Sequence, residues 1–444
     1  MGPPRRHPAT GGSRAITGVP AVREHPQRYA LVNELHARPH LDLPGPARAS
    51  FYALLRDENS RADHEHLVAY CRRHGLPQPA AEAKHHTART DAVVLKWESH
   101  TEYTSYLFVR EGAATPFTER VIDRVPADWW AATPGELLVA VHLEICGQER
   151  PEPDEDALAD WFGRDTLCSA NIYRGRGAVW TDFRVHADGA ARILIRNVAM
   201  SPQQAGRAVQ RLAELETYRA LALLSLPLAQ AASPRIRAVD LRLAALTNRL
   251  NEMSGLDDQR SALQELSMLS AEIEQLAAGT AYRFGATAAY HALVQERLEG
   301  VREPQLGSRP SIAEFVDRRL LPAIRTCNSV AVRGEGVARR LSRSLNLLRT
   351  QVDVAVEAQN RDLLASMNRR ARLQLRLQET VEGLSIAAIT YYVVGLVGYA
   401  AKAVHRFWPA LSVPIAQAVA IPVVATCLWL ALRRVRTGVS EHLD

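Results

Sequence analysis

Cysteine is scarce in this chain of 444 residues and never occurs in closely spaced pairs. The five cysteines are scattered, at Cys71, Cys146, Cys168, Cys327 and Cys427. Disulfide frameworks and structural zinc sites need cysteines at short, paired spacings. The sequence therefore argues against both.

The motifs of the common enzyme classes are also missing. The chain has no G-x-S-x-G nucleophile motif, no Walker loop, no G-x-G-x-x-G fingerprint and no H-E-x-x-H zinc motif. We therefore predict that the protein is not an enzyme and that it holds no cofactor.

Positive charge is spread along the chain instead of forming one block. The formal net charge is +6, and the pI is about 9.2. Nucleic-acid-binding surfaces concentrate basic residues and interleave them with aromatics, which this sequence does not do. The charge balance favours a protein beside an anionic membrane surface, with no nucleic acid as partner.

The N-terminal stretch MGPPRRHPATGGSRAITG lacks the apolar core of a signal peptide. Its composition predicts a disordered leader over residues 1–23.

Two long, nearly uncharged runs stand close to the C-terminus. They cover Leu384–Val404, where only Lys402 is charged, and Leu411–Leu432. A helix needs about 20 mostly apolar residues to cross a bilayer core. The runs predict a transmembrane hairpin over residues 384–432, with the lipid bilayer as partner. Buried helices of a soluble protein are the alternative, and two such runs in tandem count against it.

Arginines flank this predicted hairpin on both sides. They are Arg369, Arg370, Arg372 and Arg376 before it, and Arg433, Arg434 and Arg436 after it. The positive-inside rule then places both termini in the cytoplasm, with residues 433–444 as a cytoplasmic tail. We expect a multi-pass protein of the bacterial inner (plasma) membrane.

A long helix precedes the first span. Residues 337–382 contain no Pro and no Gly, and apolar residues recur at steps of mostly three, four or seven. The pattern is typical of an amphipathic or coiled-coil helix that packs on its own domain or on other copies. With the helical stretches upstream, it predicts a helical stalk domain over residues 235–383.

One face of this long helix stays polar up to the membrane. It carries Asn360, Gln374, Gln378, Glu382 and Ser385. On a lone helix such a face is exposed to solvent. In a ring of copies it would line a pore or an oligomer contact, with Glu382 forming an acidic collar that attracts cations.

Short segments rich in β-branched and aromatic residues occupy residues 91–197, separated by turn signals. They predict a mostly antiparallel sheet of five or six strands within a cytoplasmic α/β domain, residues 24–234. The fold class is therefore α+β, with an N-terminal sheet and helices, an all-helical stalk and a C-terminal two-helix hairpin.

Three polar or aromatic clusters have structural interpretations. DHEH (Asp63–His66) is expected on the solvated face of a helix, and the pair His85 and His86 in a linker. Trp129 and Trp130 are expected to plug a core or an interface.

The segment NELHARPH sets His36 and His40 four residues apart, a spacing that suits metal ligands on a helix. Pro39 breaks such a helix. The sequence therefore favours a folded turn that packs Arg38 against the domain, and no metal site is predicted.

NELHARPH, LKWESHTEYTSYLF, VWTDFRVHADGAARILI and RRARLQLRLQETVEGLSIAAITYYVVGLVGYAAKA together resemble an uncharacterised family of bacterial membrane-anchored proteins, a domain of unknown function with a NELHARP signature. The resemblance runs from about Glu24 to Leu432. It implies the membrane anchor and assigns no role to Asn33, Glu34, His36, Arg38 or Pro39.

The order of the parts is similar, in architecture only, to the CorA-type magnesium channels. Those are pentamers with a Gly-Met-Asn motif at the outer end of the first span, where this chain reads VGLVGYAAKAVHRF. Two functions therefore stay open: a homo-oligomeric, membrane-anchored protein for binding or scaffolding, and a cation conduit that lacks this motif and takes a divalent cation as partner.

Overall fold

The computed structural model describes residues 25–35, 39–56, 60–163, 166–250, 253, 255–301, 309–405 and 412–440. The strands in these ranges are β1 (Ala47–Leu55), β2 (His85–Arg89), β3 (Val94–Ser99), β4 (Tyr103–Glu111), β5 (Glu136–Cys146), β6 (Cys168–Ile172), β7 (Gly177–Thr181) and β8 (Ala191–Asn197). The α-helices are α1 (Arg28–Leu35), α2 (Ser60–Arg73), α3 (Ala127–Ala131), α4 (Glu155–Trp161), α5 (Pro202–Leu223), α6 (Ser225–Leu250), α7 (Leu256–Glu299), α8 (Ile312–His405) and α9 (Val413–Ser440).

All eight strands form one sheet, in the order β2-β3-β4-β1-β5-β8-β7-β6. Neighbouring strands are antiparallel, except that β5 and β8 run parallel. The fold class is α+β with a mostly antiparallel sheet, as the sequence predicts.

The sheet is covered on both faces. Along β1, Ala47, Ala49 and Phe51 belong to one core, and Tyr52 belongs to another. Successive side chains of a strand point to opposite faces, so a strand buried on both sides reads as a continuous apolar run. The first core also takes in much of α5, together with apolar residues of α7 and α8.

The sheet has more strands than the five or six predicted. β1, β2 and β6 are the additions. β1 was not predicted, because both of its faces are buried and its sequence therefore lacks the alternation of polar and apolar residues. β2 contains His85 and His86, so their assignment to a linker was wrong: they lie on an edge strand paired with β3.

The second face of the sheet is packed with aromatic side chains. Trp129 is 6% exposed, stacks on His66 with ring centroids 4.2 Å apart, and donates through Nε1 to the His66 carbonyl at 3.0 Å. Trp130 lies 4.6 Å from Tyr52, centroid to centroid. The two tryptophans are therefore core residues, as expected.

The expectation that the DHEH cluster is solvated was wrong for two of its members. Asp63 is 4% exposed, because its carboxylate accepts hydrogen bonds from Arg56 Nε at 2.9 Å and Thr104 Oγ1 at 2.6 Å. His66 packs under Trp129, and this burial lowers the pKa of its imidazole to about 4.

Helix α5 begins with a capped first turn. Ser201 Oγ accepts from the Gln204 N–H at 3.2 Å, and the Gln204 side chain accepts from the Ser201 N–H at 3.0 Å. Pro202 occupies the first turn, where its missing N–H costs nothing. The result is a complete capping box.

The predicted long helix is part of α8, which spans 94 residues without a break. Ser311 caps its start by accepting from the Glu314 N–H at 3.1 Å. Compact packing divides the chain into two units, residues 1–245 with 268–342, and residues 246–267 with 343–444. The first part of the helical region is thus grouped with the sheet. The domain boundaries drawn from the sequence stay a prediction, and the leader over residues 1–23 lies outside the described residues.

Candidate functional site

Two C-terminal helices expose most of their apolar side chains. The C-terminal part of α8 and Val413–Ala431 in α9 are each long and apolar enough to cross a membrane. The exposed fraction is 75% at Leu384, 73% at Tyr399 and 67% at Ile415. Contiguous apolar surface of this extent marks an interaction site, because water alone does not cover it favourably.

The five residues predicted to form a pore or oligomer face lie along α8. Asn360, Gln374, Gln378 and Ser385 are exposed, and Glu382 is half-buried. Gln378 Nε2 donates to Glu382 Oε1 at 3.1 Å, which places these two residues on one face. Ser385 Oγ donates to the Val381 carbonyl at 2.8 Å, so its hydroxyl is satisfied within the helix.

The signature segment is only partly described. Asn33 and Glu34 lie in the last turn of α1, and Pro39 is exposed. His36 and Arg38 lie outside the described residues, so the turn predicted to pack Arg38 stays a prediction. Within the described ranges, no group of three or more His, Cys, Asp or Glu residues is placed to hold a metal ion.

The segment that follows the signature is fixed to the start of α5. The Leu43 N–H donates to the Pro202 carbonyl at 3.1 Å. Gln203 Nε2 donates to Asp42 Oδ2 at 3.3 Å. The Leu41 carbonyl lies so close to Gly206 that any Cβ there would overlap it. Gly206 therefore serves this close approach of two backbones.

A row of buried polar side chains crosses β1 and β5 on the second face of the sheet. Ser50 pairs with His142 in the register, and Arg48 pairs with Glu144. Ser50 Oγ lies 3.0 Å from His142 Nδ1. Arg48 Nη1 donates to Glu119 Oε2 at 2.8 Å. The four strand residues are all less than 10% exposed.

The environment of this row perturbs its titratable groups. Burial raises the pKa of Glu144 to about 7, although the Phe117 N–H donates to its Oε1 at 3.1 Å. Burial likewise lowers the pKa of His142 to about 4. Phe117 adopts a φ of 60°, a left-handed conformation uncommon for a residue with a side chain.

Comparison with known families gives a match over nearly the whole chain. Residues 23–439 match the family described as "Protein of unknown function (DUF3422)". The chain belongs to this family. No curated protein matches its sequence. The family assignment confirms the resemblance seen in the sequence, and it assigns no activity to any residue of the DUF3422 fold.

Sequence reasoning missed the polar row of this DUF3422 chain. The signal was present, because His142 and Glu144 stand at alternate positions of an otherwise apolar strand. A Ser–His pair is one way to activate a nucleophile. Here the pair lines a cavity of about 10 Å³, room for a single water, under Phe117 and Val121. We therefore assign the row a structural role.

Proposed function

We propose that the chain is a membrane-anchored, homo-oligomeric protein of the bacterial inner membrane, with a non-enzymatic binding or scaffolding role. The observation that carries the proposal is the apolar surface of α9 and of the C-terminal part of α8. Not one residue of the apolar window in α9 is buried. A bilayer would cover this surface, because each apolar stretch has the length of a membrane span.

The charges around the two stretches favour one orientation. Four arginines between Arg369 and Arg376 precede the first, and three between Arg433 and Arg436 follow the second. An excess of Arg and Lys keeps a flank on the cytoplasmic side. A multi-pass topology with both termini in the cytoplasm, and thus with the α+β part there as well, accounts for this asymmetry.

Exposed apolar residues on α8 ahead of the first span support the oligomer. Val337, Leu341 and Leu348 are buried, and the same stripe continues through Leu363, Met367, Leu377 and Val381, which are 54–69% exposed. A helix stripe of this kind is normally covered by another helix. A second copy supplies the same stripe and therefore matches it.

A cation conduit is the second candidate, and the polar row on α8 is the observation that favours it. In a ring of copies, the linked side chains of Gln378 and Glu382 would stand at the cytoplasmic entrance. Acidic rings there attract cations, including divalent ones. Glu382→Lys should then reduce cation flux into liposomes, whereas a scaffold would show no flux to reduce.

Deletion of everything after Glu382 tests the anchor. We expect the full chain to stay with membranes through a carbonate wash and the truncated chain to be released. Among the described residues before Leu384, no other apolar stretch is long enough to span a membrane. Should the truncated chain still require detergent, the two-span anchor would be wrong.

A further inference from the structure

A cavity of about 620 Å³ lies between α7 and α8, in a part of the fold that the proposed anchor does not involve. Ile236 of α6 contributes to its apolar lining, together with Ile273 and Phe284 of α7 and Ile324 of α8. This volume is typical of small-molecule sites, which range over roughly 300–1,000 Å³. The cavity is open to solvent on one side, since Ala281 and Gly285 in its wall are exposed.

Small residues on the facing helices create the space. Ala281, Gly285 and Ala288 line it on α7, and Ala331 and Gly334 line it on α8. A Cβ added at Gly285 would meet no atom within 4 Å. Rows of small residues usually let two helices close together, but these two helices leave the volume between them open.

The two threonine hydroxyls in the wall already have hydrogen-bond partners. Thr280 Oγ1 donates to the Leu276 carbonyl at 2.8 Å. Thr287 Oγ1 lies 2.6 Å from Ser225 Oγ, which in turn lies 3.2 Å from Cys327 Sγ. These side chains offer a ligand no unmet hydrogen bond. The interior therefore suits a hydrocarbon chain.

Arg325 and Asn328 form the polar rim on α8. Both line the cavity, both are exposed, and neither has a side-chain partner among the residues that the structure describes. They are three residues apart and therefore neighbours on one helix face. An arginine fork and an amide N–H₂ are donors that match a carboxylate.

The opposite charge on the rim is spatially separate. Glu335 is ten residues further along α8, about 15 Å at 1.5 Å per residue. It is already paired with Arg339 at 3.4 Å. An anionic group therefore binds favourably only at the Arg325 end, which fixes the direction of an elongated ligand.

We propose that this cavity binds a long-chain fatty acid, with its hydrocarbon chain between α7 and α8 and its carboxylate at Arg325 and Asn328. The apolar wall provides most of the affinity through burial of the chain. The rim selects a carboxylate over a neutral head group.

Photoaffinity labelling of the full chain in lipid nanodiscs tests the site. The probe is a palmitate analogue that carries a diazirine in its chain. We expect adducts within residues 273–291 and 321–335, competed by palmitate and not by hexadecanol. Two results would overturn the proposal. Adducts confined to residues 384–431 would show that the probe reports only bulk lipid. The complete absence of adducts would show that the cavity takes no fatty acid, as it would if a protein partner filled it.

A matched pair of glycine variants distinguishes the effect of filling the cavity from the effect of placing a leucine elsewhere on α7. Gly285→Leu places a side chain in the open space, whereas Gly279 lies on the same helix outside the lining and also meets no atom within 4 Å. We expect labelling of α7 and α8 to fall about ten-fold or more in Gly285→Leu, because the chain and the leucine compete for one volume. Gly279→Leu should label like the wild type. Equal labelling in both variants contradicts the assignment.

The rim is tested by Arg325→Gln, with Arg333→Gln as the control on the same exposed helix. Loss of a charge-assisted hydrogen bond should weaken palmitate competition about ten-fold in the first variant and leave it unchanged in the second. Unchanged palmitate competition in Arg325→Gln would show that the carboxylate does not bind at the rim, and would overturn the fatty-acid assignment.

Discussion

Gly398 of α8 lies directly against the side chain of Gln417 of α9, so close that a Cβ at position 398 would overlap the Gln417 amide. Gly398 is buried, whereas a Cβ at Gly395, three residues earlier, would meet no atom within 4 Å. Small residues let helices in a bilayer approach closely. The two apolar helices therefore pack against each other at Gly398.

Gly398→Leu should loosen this packing, and Gly395→Leu should leave it intact. We expect the first substitution to cost about 1–3 kcal/mol of stability, the usual cost of overpacking a close contact. The measurement is the thermal unfolding midpoint of the full chain in mild detergent. Equal midpoints for the two variants would show that the contact at 398 does not hold the pair together.

Gly206→Ala should destabilise the protein although alanine is the better helix former. The Leu41 carbonyl leaves no room for a methyl group at position 206, and overpacking of this kind costs about 1–3 kcal/mol. Gly279→Ala is the control, since its Cβ meets nothing within 4 Å and the change should stabilise α7 by about 0.5–1 kcal/mol. Opposite shifts of the unfolding midpoint would confirm both expectations.

Glu144 should make stability depend on pH. Burial raises its pKa in the folded state from about 4.5 to about 7, so the folded protein binds this proton more tightly than the unfolded chain. Its contribution is fully present below pH 4.5 and is lost as the pH rises through 7, by up to about 3 kcal/mol.

The variant Glu144→Gln should abolish this fall in stability between pH 5 and pH 8, because an amide does not titrate. The control is Glu149→Gln, which changes an exposed carboxyl three residues beyond β5. Unfolding midpoints at four pH values across this range provide the measurement. If Glu144→Gln shows the same fall in unfolding midpoint as the wild type, another group is responsible for the pH dependence.

Local sequence rules predicted the helical elements well. The uninterrupted long helix and the helical stretches upstream of it follow from short-range signals: the absence of Pro and Gly, and apolar residues at helical spacing. Such signals act within a few residues, so a single sequence contains them in full.

Long-range pairing was harder to predict. β2 is polar and lies at an edge, and β1 lost its alternation because both of its faces are buried. Asp63 was expected on a solvated face because its partners, Arg56 and Thr104, lie outside its own helix and are not visible in the local sequence pattern. The facing rows of small residues around the 620 Å³ cavity also lie on separate helices, and no local pattern pairs them.

Self-association through α8 predicts disulfide cross-links at defined positions. Cysteine at Gln378 or Glu382 should link copies, because the polar row faces the common axis of the proposed ring. Thr380→Cys is the control, since two residues rotate the side chain by about 200° around the helix. The background variant is Cys427→Ala, because Cys427 is exposed whereas the other four cysteines are buried.

The measurement is the fraction of linked dimer on non-reducing gels after mild oxidation in membranes, together with the mass of the unlinked protein in detergent. We expect strong linking at 378 and 382 and weak linking at 380. A monomeric mass with no linked dimer at any of the three positions would exclude both the oligomer and the conduit, and would leave the anchor standing.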